Sequence, residues 1–204
     1  MLKPMLATLL LLAAPAPRTV PTFSAIDVAG GVTLEVHVGK PQRVALEGMD
    51  AAVAEYVTEV VKGVLMIHPK PKTQSWRDLL KNAPSVTARV DVPRLTSIKS
   101  AGACVVACDH LAGPTFTLTL AGASSGTVMG KVQQFNAHLS GASKMDAAML
   151  KADQAAVDAT GASHALVNAG TSLTADATGA SDIAYLGKPK LTQKVSGAAT
   201  VHAK

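Results

Sequence analysis

The sequence contains few aromatic residues, few cysteines and only a short N-terminal hydrophobic run. Its 204 residues include one Trp, two Tyr and three Phe, although 48% of the residues are hydrophobic. A core must therefore be built mainly from Val, Leu, Ile and Ala. The apolar run at residues 5–14 is too short for a transmembrane helix, which needs about 20 residues.

The two cysteines, Cys104 and Cys108, are four residues apart. In an extended strand their Cα atoms would be roughly 13 Å apart, whereas a disulfide requires about 4.4–6.8 Å. Two thiols without neighbouring ligands are only half of a zinc site. We therefore expect two small buried thiols, no metal and no cofactor.

The N-terminus has the pattern of an export signal. Lys3 precedes the apolar run, and Ala14-Pro15-Ala16 matches an A-x-A cleavage motif. Residues 1–16 are thus predicted to be a signal peptide, with Pro17 leaving the cleavage position open. The protein would therefore be exported from the cytoplasm. Its net charge of +5 is spread along the chain, which does not predict nucleic-acid binding.

A glycine–alanine phrase recurs along the second half of the chain. Successive glycines are separated by 20, 19, 20, 18 and 18 residues. Repeats this short cannot bury an apolar face alone, so they indicate a solenoid of stacked units. The glycines are Gly102, Gly122, Gly141, Gly161, Gly179 and Gly197.

The residues before each glycine alternate in polarity. Positions two and six before the glycine are mostly apolar, such as Leu120 and Phe116, and positions three and five are mostly polar. A period of two is typical of a strand with one buried face, and glycine suits a tight, stacked corner. The sequence predicts an all-β fold: a single-stranded, right-handed parallel β-helix (β-solenoid) with rungs of 18–20 residues.

The N-terminal half lacks the repeated phrase but continues the strand pattern. Residues 53–61 fit helical spacing, yet Lys62-Gly63 also fits a hairpin, and both interpretations stay open. Ser75 and Asp78 form a capping box that predicts a short helix. We expect one domain over residues 22–204, with irregular rungs at 22–100 and regular Gly-Ala-Ser repeats at 101–204.

Three stretches carry a resemblance to a known family. They read "FSAIDVAGGVTLEVHVGKPQRVALEGMD", "TEVVKGVLMI" and "VDVPRLTSIKSAGA", followed by the serial glycine phrases. This pattern resembles the bacterial family called putative auto-transporter adhesin, head GIN domain, over roughly residues 22–204. The corners of that family usually read G-S-G-D, whereas here only Asp182 retains the acid. The resemblance implies an exported β-helical domain of a bacterial envelope, in the periplasm or at the cell surface, and it supplies no catalytic residues.

Stacking would align the polar positions into ladders across the rungs. Asp158 and Asp176 would then be neighbours about 5 Å apart, the separation found in retaining glycosidases. This pair could bind a cation or act as an acid pair. The simpler expectation is a surface ladder in which His138 and Lys194 neutralise the two carboxylates. A triad of Ser163, His164 and Asp182 is excluded, because adjacent strand residues face opposite sides.

The only tryptophan, Trp76, lies beside Arg77 in a loop-like segment. It either binds a sugar ring or partner, or packs the loop onto the solenoid. The candidate binding residues are therefore Asp158, Asp176, His138 and Trp76, and no catalytic residue is predicted.

These observations favour a non-catalytic, adhesin-like binding or scaffold module of the cell envelope. Its partner would be an envelope polysaccharide or a protein. The alternative is a carbohydrate-active enzyme, a polysaccharide lyase or hydrolase that uses the Asp158/Asp176 face. An open last rung would also allow end-to-end self-association, which the lysines near that end would oppose.

Overall fold

The computed structural model describes residues 16–70 and 86–204, which are nearly all in strands. No helix in these ranges is long and apolar enough to cross a membrane. The predicted signal peptide lies outside the described residues except for Ala16. The elements are β1 (Ala16–Pro17), β2 (Ala25–Gly30), β3 (Val32–Val38), β4 (Arg43–Glu47), α1 (Asp50–Val53), β5 (Tyr56–Val61), β6 (Val64–Pro69), β7 (Val86–Val92), β8 (Ser97–Gly102), β9 (Val105–Gly122), β10 (Ser125–Leu139), β11 (Lys144–Ala159), β12 (His164–Gly179), β13 (Asp182–Leu186), β14 (Lys190–Gly197) and β15 (Thr200–Ala203).

The repeats form a parallel β-solenoid. Strands β9 to β12 are 15–18 residues long and pair in parallel with their neighbours in sequence. Each supplies one coil that ends at a glycine corner, and the next coil lies directly beside it. The predicted all-β, parallel β-helical fold is confirmed.

The core consists of the inward positions of the alternating pattern. Phe116, Leu118 and Leu120 of β9 are buried, and so are their register partners in β10. Phe116 and Phe135 stack with ring centroids 6.2 Å apart and planes inclined by 6°. The core is thus filled one layer per coil by side chains at positions that repeat from rung to rung.

The corner glycines form a column along the solenoid. Gly102 pairs with Gly122, and Gly179 with Gly197. Between them, a Cβ built on Gly141 or Gly161 would lie 2.5–2.6 Å from the carbonyl oxygen of the preceding corner glycine. The column also includes Gly30, which pairs with Gly102 across 72 residues of sequence. The local repeat could not reveal this last member.

The order of the coils in space differs from their order in the sequence. Strands β2 and β3 lie between β6 and β7 on one side and β8 and β9 on the other. The coil β2–β3 forms first in sequence. The next coil, β6–β7, pairs with one edge of it, and the chain then returns to the other edge, where β8 and β9 start the regular stack. Residues predicted to form irregular N-terminal rungs thus include one coil, β2–β3, that is in register with the regular stack.

The N-terminal end of the solenoid is covered by antiparallel elements. Strands β5 and β6 form a hairpin in which Val61 pairs with Val64. Lys62 and Gly63 both have positive φ, 50° and 77°, as a two-residue type I′ turn requires. This settles the open choice in favour of a hairpin, and helix α1 is confined to Asp50–Val53. The helix predicted after Ser75 lies outside the described residues.

A second column, of buried serines, follows the glycine corners. The hydroxyl groups donate to the backbone carbonyl three residues earlier at 2.8–3.1 Å. Their burial in the corner rules out the triad, since Ser163 bonds to the Thr160 carbonyl while His164 is exposed. The column contains Ser124, Ser143, Ser163 and Ser181.

Both cysteines are free and buried, as predicted. Cys104 occupies the first position of the serine column, where its thiol lies 3.5 Å from the Ala101 carbonyl oxygen. Burial, together with the charge of Asp109, raises the pKa of Cys108 to about 12. The Cys108 thiol is therefore protonated at neutral pH.

Candidate functional site

The predicted binding residues His138, Asp158 and Asp176 lie side by side on one outer face. Parallel register places each opposite the next on adjacent strands. Toward the N-terminal end of the solenoid the same row continues beyond the positions found in the sequence. We call this row the charged ladder: Asp27, Lys99, Thr119, His138, Asp158, Asp176 and Lys194.

The side chains of the charged ladder are partly exposed to solvent. His138 Nδ1 lies 2.8 Å from Asp158 Oδ2, with both side chains about half exposed at 51% and 49%. Lys99 Nζ lies 3.4 Å from Asp27 Oδ2. Asp158 is therefore paired sideways with His138. In the described ranges no group of three or more His, Cys, Asp or Glu side chains could hold a metal ion. Trp76 lies outside the described residues.

A second charged surface, which the sequence reasoning missed, lies on the outer side of β3, β4 and β7. Alternation turns Val36 and Val90 into the core and leaves their neighbours outside. The outward side chains surround a depression of about 290 Å³. Its lining residues are His37, Lys40, Arg43, Ala45, Glu47, Arg89 and Asp91.

Most charges in this depression are paired. Arg89 bridges two carboxylates, with Nε 3.0 Å from Glu35 and Nη1 3.2 Å from Glu47. Lys40 Nζ lies 3.8 Å from Asp91. Arg43 is the exception, because no carboxylate of the described residues lies within ion-pair distance of it, although its backbone is opposite Asp91.

Arg43 also lines a neighbouring depression of about 260 Å³ that contains no acidic residue. The second cation there, Arg18, donates to the Val53 carbonyl at 3.4 Å, and its Nε is buried without a partner. We call the two depressions that meet at Arg43 the basic groove. The second depression is lined by Pro17, Arg18, Thr19, Val20, Gln42, Arg43 and Val44.

One edge of the basic groove adjoins a carboxylate shared by two histidines. His37 Nδ1 lies 2.9 Å from both carboxylate oxygens of Asp109, and His110 Nδ1 lies 2.8 Å from one of them. Burial alone would raise the pKa of Asp109. The hydrogen bonds and charges of His110 and His37 outweigh it and hold the pKa below its ordinary value of 3.8. Asp109 therefore fixes β3 to β9 electrostatically.

We expect Asp109 to contribute stability that is lost in acid. Because the folded-state pKa is depressed, this contribution is complete only well above pH 3.8, and it is lost progressively as the pH falls through 3.8 and then through the folded-state pKa. Wild-type protein should therefore lose more unfolding free energy than Asp109→Asn between about pH 5 and pH 3. Urea denaturation at a series of pH values measures this difference. Asp153→Asn, at an exposed position, is the control, and parallel profiles for wild type and Asp109→Asn would contradict the expectation.

A weak sequence signal for the basic groove did exist. "VTLEVHV" and "VTARVDV" place Glu35 and His37, and Arg89 and Asp91, at outward positions of two strands. These two strands pair in register, and antiparallel β4 adds Arg43 beside them. Both are long-range features that the sequence repeat does not predict.

Comparisons with known proteins agree with the fold. A putative adhesin from Bacteroides fragilis has a TM-score of 0.66 and 18% identity, covering 94% of this chain and 95% of that chain. A putative adhesin from Parabacteroides distasonis has a TM-score of 0.51 and 16% identity, covering 94% and 96%. A putative lipid binding protein from the same species has a TM-score of 0.50 and 16% identity, covering 94% and 97%.

Among curated proteins none matches this chain. A family model, described as putative auto-transporter adhesin, head GIN domain, matches residues 22–189. This span contains the corner column from Gly30 to Gly179, most of the charged ladder and most of the basic groove. The chain therefore belongs to the head GIN domain family of putative auto-transporter adhesins.

Proposed function

We propose that the protein is an exported, non-catalytic binding module of the bacterial cell envelope. The observation that carries this proposal is the straight register of the charged ladder across the solenoid. Neighbouring strands are about 4.8 Å apart, so the ladder presents polar groups at a regular spacing on a packed core. A rigid, repeating surface of this kind suits an extended partner, either an envelope polysaccharide or a protein.

Two further facts support an envelope location. The family is named for adhesins, and residues 1–16 have the pattern of a signal peptide. Fractionation of cells that produce the full chain, with N-terminal sequencing of the mature protein, tests export. Recovery of uncleaved protein from the cytoplasm alone would overturn it.

Binding and catalysis can be separated in one experiment. Purified protein is applied to an array of envelope polysaccharides, and the same polysaccharides are assayed for new chain ends after incubation. We expect retention without cleavage, because Asp158 is paired with His138 on an open face. Asp158→Ala/Asp176→Ala should weaken retention on the ladder face. Chain cleavage that disappears in Asp158→Ala would instead establish the alternative, a polysaccharide lyase or hydrolase.

A further inference from the structure

We propose that the basic groove binds an acidic polysaccharide and that Arg43 captures the carboxylate of a uronic acid residue. The proposal rests on the proposed function in one respect, that the exported protein meets envelope glycans. It concerns a surface separate from the charged ladder, so each can fail without the other.

The charge distribution points to an anionic ligand. Arg89 and Lys40 already contact carboxylates of the protein. Arg43 stands between the two depressions and has no such contact among the described residues, and Arg18 has only a backbone carbonyl. The exposed guanidinium of Arg43 is thus available to an anion, and the partly buried Arg18 adds positive charge to the adjoining depression. The planar guanidinium binds a carboxylate through two parallel hydrogen bonds.

The mixture of charges favours an acidic sugar over a phosphate ligand. Glu47 and Asp91 line the same depression as Arg43. Their carboxylates would repel a dianionic phosphate group, but they can accept hydrogen bonds from sugar hydroxyl groups. A uronic acid carries both kinds of group on one ring, a carboxylate for Arg43 and hydroxyl groups for the two acids.

The shape favours a polymer over a compact ligand or a protein. The depressions measure about 290 and 260 Å³, slightly below the range of about 300–1,000 Å³ typical of small-molecule pockets. They are adjacent and open, so successive rings of one chain could lie on either side of Arg43. Neither lining contains Phe, Tyr or Trp, and Tyr and Trp are common anchors of protein interfaces.

Titration with short oligogalacturonates tests the proposal, using the full chain and isothermal calorimetry. Wild type should bind the oligogalacturonate and should not bind its carboxyl-methylated form. Arg43→Ala should weaken binding about tenfold or more, as expected for loss of a hydrogen-bonded charge pair. Lys131→Ala removes the same charge from an exposed position on another strand and should leave the affinity unchanged. Unfolding curves for both variants establish that they fold.

Three results would overturn the proposal. The first is that wild type does not bind the oligogalacturonate. The second is that Arg43→Ala and Lys131→Ala weaken binding equally. The third is that a sulfated oligosaccharide binds as tightly as the oligogalacturonate and that Arg43→Ala does not change its affinity. The last two would indicate attraction by net charge alone. Retention on the polysaccharide array could also depend on Asp158 and Asp176 but not on Arg43. That result would support the proposed function and contradict a role of the basic groove in binding.

Discussion

Replacing Gly161 by Ala is expected to reduce the free energy of unfolding by about 2–5 kcal/mol. Gly161 has φ +81°, where a side chain costs about 1–2 kcal/mol. A Cβ there would also lie 2.5 Å from the carbonyl oxygen of Gly141. Because that oxygen belongs to the backbone of the preceding coil, it cannot rotate away, and overpacking adds about 1–3 kcal/mol. Urea denaturation followed by circular dichroism measures the loss.

Gly63→Ala is the matched control for this experiment. Gly63 has a similar φ, +77°, but a Cβ there meets nothing within 4 Å. Its substitution should therefore show only the conformational cost of about 1–2 kcal/mol. The difference between the two variants isolates the contact between stacked corners. Equal losses would contradict direct packing of Gly161 on Gly141.

The regular half of the fold was predictable because its information is local. The alternation before each glycine places Phe116 and Leu120 inward, and the steps of 18–20 residues align each rung with the next. The neighbour relation between Asp158 and Asp176 follows from those two facts alone. Because every coil repeats the same pattern, the register between neighbouring strands can be predicted without information on long-range contacts.

The N-terminal half could not be predicted to the same degree because its pairings are long-range. Gly30 and Gly102 are adjacent in space although a hairpin, a helix and several strands separate them in sequence. The order of coils depends on which edge of β2–β3 each later strand joins. Both edges are open to parallel pairing, and the alternation of apolar residues is the same for either choice.

The charged ladder and the basic groove differ in how far the sequence predicts them, for the same reason. The charged ladder is made by repetition, so its members from His138 to Lys194 were found by counting back from each glycine. The basic groove is made where antiparallel β4 meets β7. The sequence shows that Arg43 and Asp91 are charged. Only the structure shows that they are opposite each other on neighbouring strands without forming an ion pair. The charged ladder could therefore be predicted from the repeats, whereas the basic groove could be recognised only from the structure.

Replacing Phe116 by Ala should reduce the free energy of unfolding by about 3–5 kcal/mol, the usual range for a buried phenylalanine. Phe116 is fully buried and stacks on Phe135 in the next coil. The lost ring would leave a cavity beside a second ring, and the parallel strands that hold both residues in register prevent the coils from closing over it. Thermal and urea unfolding measure the change.

Phe116→Leu, which keeps most of the apolar volume, should cost less than the alanine variant and serves as its control. The double variant Phe116→Ala/Phe135→Ala tests whether the two layers act together. Because the rings stack, a coupling of about 0.5–1.5 kcal/mol is expected. Additive losses would show that each coil packs its own layer independently. The solenoid core would then be a series of separate layers, and the stacked aromatic pair would contribute burial without direct interaction between coils.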